Sequence, residues 1–141
     1  MFAVDTNVLL RYLIHPLDNR NPNWQHKAAV VLIDSAEHVY VTDIVLAEME
    51  WVLECYFGFN RNEIFRVMTE LSQNPRFVFE SWPALQCALM DYREISKADF
   101  SDCLIARRVH EKQARLYTFE GAAKLGAHPN AQTIAHPSPE F

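Results

Sequence analysis

No apolar run in the chain approaches the roughly 20 residues that a membrane span requires. The start, Met1-Phe2-Ala3-Val4-Asp5, lacks the basic and long apolar regions of a signal peptide, so a cytoplasmic location is expected. Cysteine is scarce: Cys55, Cys87 and Cys103 are odd in number, lie in helix-like stretches and show no CxxC spacing. That argues against a disulfide framework and a thiolate zinc site, and the three are expected to be buried free thiols. The six histidines are scattered without HxxxH or HExxH spacing, which argues against histidine-held metal. Excess positive charge is also missing. A formal net charge of −5 runs against a generic nucleic-acid binder. It does not rule one out, because carboxylates that hold a cation contribute to that total and are offset when the cation binds.

What the chain does have is four acidic stretches, each beside an apolar run: Val4-Asp5-Thr6-Asn7, Leu46-Ala47-Glu48, Ala98-Asp99-Phe100-Ser101-Asp102 and Thr118-Phe119-Glu120. Mg²⁺ and Mn²⁺ favour hard oxygen ligands, and a bound divalent cation can activate water against a phosphodiester. Carboxylates gathered without a cation raise one another's pKa and lose hydration, so an acidic cluster implies a metal, provided the stretches converge.

Apolar periodicity alternates between strand and helix. Residues 1–4 form a strand; Thr6 to Ile14 form a helix ended by Pro16; Pro22 opens a helix to about Ala36; and His38 to Val41 form a second strand. Thr42 or Asp43 caps a helix carrying Glu48, which Gly58 stops near Phe57. Asn60 and Glu63 make a capping arrangement for a helix to about Gln73. Arg76 to Phe79 form a strand, Pro83 starts a helix ending near Ile95, and Ser96 or Asp99 caps the next. Arg115 to Thr118 and Gln132 to Ala135 are the last strands. Such alternation predicts an α/β fold, with a mainly parallel central sheet flanked by helices and its ligands outside the carboxyl ends of the strands. A chain of this size, with 50% hydrophobic residues, fits one domain over residues 1–135, with a flexible tail at 136–141.

The runs Val-Asp-Thr-Asn-Val-Leu-Leu (4–10), Ile-Val-Leu-Ala-Glu-Met-Glu-Trp-Val-Leu (44–53), Ala-Asp-Phe-Ser-Asp-Cys-Leu-Ile-Ala (98–106) and Tyr-Thr-Phe-Glu (117–120) resemble those of PIN-domain ribonucleases, and within them the VapC toxins of bacterial toxin-antitoxin pairs. The resemblance implies a Mg²⁺- or Mn²⁺-dependent endoribonuclease acting on RNA, a homodimer, and a cognate VapB-like antitoxin that restrains it. By position, Asp5, Glu48 and Asp102 match the family's acids and Asp99 matches an additional one. Glu120 stands where the family usually has Asp. Its longer side chain keeps a carboxylate and changes its reach. Thr6, Asn7 and Thr118 match polar positions beside the acids, where they can orient carboxylates or water.

Other residues have candidate roles of their own. Arg11, Arg107, Arg108 and Lys112 can steer an RNA backbone, or form a solvated helix face. Trp51, Tyr56, Phe57, Phe59 and Phe65 cluster near Gly58 and can pack internally or receive an antitoxin helix or second subunit. Met68, Trp82 and Met90 are expected in the core, and Glu50, Glu54 and Glu63 on the surface. Each acid also has a structural alternative: helix capping for Asp5, a solvated face for Glu48, a Ser96–Asp99 capping box, the helix dipole for Asp102 and a turn for Glu120. A catalytically silent PIN-like binding module is the alternative to the enzyme.

Overall fold

The computed structural model describes residues 1–14, 23–95, 97–119, 130–135 and 137. Among them it is a mixed α/β protein of six helices and five short strands, and every strand pair is parallel. No helix among these residues is long and apolar enough to cross a membrane. Backbone packing divides the chain into two compact units, Met1–Trp82 and Pro83–Phe141.

The first unit contains β1 (Phe2–Ala3), α1 (Thr6–Leu13), α2 (Asn23–Asp34), β2 (Val39–Val41), α3 (Asp43–Cys55), α4 (Arg61–Gln73) and β3 (Phe77–Phe79). Its sheet has the order β1-β2-β3, with Phe2 opposite Val39 and Val39 opposite Phe77. Side chains alternate between faces along a strand, so Val39 and Val41, and likewise Phe77 and Phe79, are buried while Tyr40 and Val78 between them are half-buried. The core is completed by Leu9, Ile33, Leu46, Met49, Leu53, Met68 and Leu71, which lie on the inward stripes of the four helices.

The helix ends follow local chemistry. Asp5 caps α1 and Thr42 caps α3, each side chain accepting from the backbone N–H three residues on. Asn60 and Glu63 form both bonds of a capping box at the start of α4. Gly58 takes φ +70°, the left-handed conformation that lets the chain turn after α3. At the far end of α2, the Arg76 guanidinium donates to the carbonyls of Ile33, Asp34 and Ala36, satisfying acceptors that the helix leaves open.

The second unit contains α5, which starts on the last residue of the first (Trp82–Glu94), then α6 (Phe100–Glu111), β4 (Leu116–Thr118) and β5 (Ala131–Thr133). β4 and β5 pair in parallel as a separate two-stranded sheet. Tyr92 meets Phe100 edge-on, and Leu85, Ala88, Phe100, Cys103, Leu104 and Ala106 are buried.

Several expectations are corrected. The described strands form two sheets rather than one central sheet; strands of two or three residues each offer few ladder bonds for extending the pairing. Trp82 and Met90 are exposed, although Met68 is fully buried; the Trp82 indole N–H is nonetheless satisfied by the carbonyl of Ser72 at 2.9 Å. Glu50 is buried rather than on the surface, because it falls on the inward face of α3 with Leu46, Met49 and Leu53. Only Cys103 is a fully buried thiol: Cys87 is half-buried, and Cys55, in the last turn of α3, is exposed. Pro16, Pro22, Ser96, Glu120 and residues 136 and 138–141 lie outside the described residues.

Candidate functional site

Three parallel strands of the first unit end on one edge, and the residues just past each strand set the chemistry there. After β1 comes Asp5, after β2 come Thr42 and the start of α3, and after β3 comes Glu80. That edge is where ligands of parallel sheets gather. Asp5 is exposed; its Oδ1 accepts from Val8 N–H at 3.0 Å, leaving the second carboxylate oxygen uncommitted to the cap. On α3, Val45, Glu48 and Val52 recur at i, i+3 and i+7 and share a stripe, while Leu46, Met49 and Leu53 turn into the core.

These two helices frame one open pocket of about 430 Å³, lined by Asp5, Thr6, Asn7, Leu10, Val45, Glu48 and Val52. Asp5 and Glu48, distant in sequence, thus face the same space. Thr6 is only 7% exposed, and its Oγ1 has no hydrogen-bond partner among the described residues. A buried hydroxyl without a partner costs stability, so its place on this wall is consistent with a role toward a ligand. Two carboxylates, a hydroxyl and the Asn7 amide make an all-oxygen-capable donor set, which fits a hard divalent cation better than a soft one.

Glu80 was not anticipated. It sits just past β3 and its Oε2 accepts from Asp43 N–H at 2.6 Å, so the N-terminus of α3 is held both by Thr42 and by a carboxylate from the neighbouring strand end. The available signal was positional: an acid directly after a strand-like run, as at Asp5. Trp24 was missed too. It is 70% exposed and lines a second pocket with Asn7, Val8 and Arg11.

In the second unit, Asp99 is the N-cap residue of α6 but its side chain makes no capping bond, and Asp102 is in the first turn. Asp99 therefore does not sit at the third helical position that a Ser96–Asp99 capping box requires. Thr118 closes β4 and is half-buried. Among the described residues no group of three or more His, Cys, Asp or Glu is gathered as a metal site.

Of the basic candidates, Arg107 forms a two-pronged ion pair with Asp91 at 2.7 and 2.9 Å, and this hydrogen bonding holds its pKa above the ordinary value against the opposing effect of burial. Arg108 pairs with Glu111 at 2.6 Å, one turn on, and Lys112 is an exposed residue closing α6. Arg11 lines the Trp24 pocket. The aromatic cluster divides: Phe57 is buried against Tyr56 and Phe59, Phe59 and Phe65 are half-buried, and Trp51 and Tyr56 are exposed on and just after α3.

Comparison with protein-family models, with curated proteins and with solved structures finds no match.

Proposed function

We propose that the chain is a Mg²⁺- or Mn²⁺-dependent endoribonuclease of the PIN-domain, VapC toxin kind. The observation that carries this reading is the meeting of Asp5 and Glu48 in one open pocket with a Thr6 hydroxyl that has no partner among the described residues, at the carboxyl edge of a parallel sheet. Asp5 and Glu48 would hold the cation in this unit; the resemblance by itself assigns acid roles to Asp99, Asp102 and Glu120 as well. When bound, the cation supplies Lewis acidity, polarising the phosphodiester and lowering the pKa of a water.

The chain's own residues have separate tasks. Asp5 keeps one oxygen on the α1 cap, which fixes the direction of the other. Thr42 and Glu80 anchor the first turn of α3, and with it the position of Glu48 about one turn on. Thr6 and Asn7 offer hydrogen bonds to a carboxylate, a water or a phosphate oxygen. The open mouth suits a polymer passing over it rather than a small molecule enclosed by it. A VapB-like antitoxin and a second subunit are the partners proposed, and exposed Ile44, Trp51 and Tyr56 on and beside α3 provide apolar surface for one of them.

The toxin reading is tested by inducible expression in a bacterium lacking a cognate antitoxin. Growth arrest that Asp5→Asn and Glu48→Gln each relieve, at equal protein levels, is the expected result. Arrest that persists in both variants would remove these carboxylates from the function.

A further inference from the structure

The pocket that Trp24 lines is adjacent in chain and in space to the carboxylate pocket. Its volume is about 230 Å³, and Asn7, Arg11, Trp24, Gln25, Ala28 and Leu32 are on its wall. Asn7 also lines the Asp5–Glu48 pocket, so the two pockets share one wall residue. Asn7 and Arg11 are one turn apart on the same face of α1. At about 1.5 Å per residue, Arg11 is about 9 Å along the helix from Asp5, a spacing on the scale of one nucleotide.

The geometry points to this pocket as a nucleobase subsite for single-stranded RNA, seating a base next to the phosphate presented to Asp5 and Glu48. It rests on the nuclease reading and deepens it. A 70% exposed indole offers a stacking face, with Arg11 on the same wall. The amides of Asn7 and Gln25 carry the donor and acceptor pairs that read a base edge. Ala28, Ala29 and Leu32 add aliphatic lining to these polar groups, a mixture that a base can use. Charge argues the same way. With a net charge of −5, and with Arg107 and Arg108 engaged by Asp91 and Glu111, attraction to phosphates is weak. Stacking, which does not depend on released counterions, then carries a larger share of the affinity, so that affinity should fall less steeply with salt than for a basic binder.

The test uses fluorescence anisotropy with the full chain in chelator, where metal-dependent cutting cannot proceed, and a short single-stranded RNA, intact or carrying one abasic site at successive positions. The wild type should bind the intact strand about 10- to 100-fold more tightly than the strand abasic at one position. Trp24→Ala should bind both strands equally weakly, and Trp24→Phe should recover most of the difference. Trp24 is exposed, so the melting temperature should not move. If Trp24→Ala binds the intact strand as tightly as the wild type, and the unmodified RNA is still cut, the subsite is wrong and the nuclease reading stands. Unchanged RNA binding with loss of self-association in Trp24→Ala would assign the pocket to a protein partner and overturn the proposal. A wild type that binds no RNA, with or without Mg²⁺, would overturn both.

Discussion

Asp5 has two tasks that can be separated by substitution. Its Oδ1 caps α1 through Val8 N–H, and no acid occupies the first turn of that helix, so Asp5 also supplies the negative charge at its positive end. Asparagine retains the cap and loses the charge, a cost of about 0.5 kcal/mol for an exposed helix end. Alanine loses both, about 1.5 kcal/mol in all. For a domain of this size 1 kcal/mol moves the melting temperature by about 4 °C, so Asp5→Asn should melt about 2 °C and Asp5→Ala about 6 °C below the wild type in chelator. Metal reverses the ranking of what matters. At a Mg²⁺ concentration ten times Kd the wild type gains about 1.4 kcal/mol, or about 6 °C, and both variants should gain almost nothing, since each has lost the ligand charge. Calorimetric melts of the three proteins with and without Mg²⁺ measure every one of these shifts. Equal losses for Asn and Ala in chelator would refute the cap, and a full Mg²⁺ gain in Asp5→Asn would refute the ligand.

Glu80→Ala removes the carboxylate bond to Asp43 N–H and should cost about 1 kcal/mol at this exposed site, with a larger proportional loss in Mg²⁺ affinity because the start of α3 is loosened; melts and metal titration read the two effects, and an unchanged affinity would show that Glu80 does not position Glu48. Thr6→Val replaces a buried hydroxyl lacking a partner among the described residues, so stability should hold or rise by about 1 kcal/mol while RNA cleavage falls; loss of stability instead would mean that the hydroxyl serves the fold. Tyr12 donates to Asp34 at 3.1 Å, and burial first, then this bond and the Asp34 charge, raise its pKa over the opposing Arg76. A group with a raised folded value stabilises below its unfolded pKa and ceases to as pH rises through the folded one, so the advantage of wild type over Tyr12→Phe in chemical-denaturation midpoints should be constant near neutrality and vanish above about pH 10.

Most element boundaries were legible because their signals are local. Asp5, Thr42 and the Asn60–Glu63 pair announce helix starts through side-chain oxygens that satisfy backbone N–H groups, and Gly58 announces a stop through the φ it alone adopts without strain. The meeting of Asp5 with Glu48 was also legible, since parallel strands deliver their next residues to one edge. Which face of a helix turns inward was harder. Glu50 and Glu48 differ by two residues, yet one is buried and the other lines a pocket, because rotation about α3 is fixed by Leu46, Met49 and Leu53 together and not by either acid. Trp82 and Met90 read as core by residue type, although Trp82 has one polar atom to satisfy and Met90 falls on the outer side of α5. The pairing of Arg107 with Asp91 joins two helices and left no local trace. Likewise, Trp24 becomes conspicuous only once α2 is beside α1.

The most direct measurement is cleavage of total cellular RNA by the purified chain in Mg²⁺ or Mn²⁺, in chelator, and with Asp5→Asn as the paired control. Cutting that needs the metal and disappears in a folded Asp5→Asn protein is the expected result. Folded wild type, free of any bound antitoxin, that leaves RNA intact in both metals would contradict the nuclease reading and favour a binding module without catalysis.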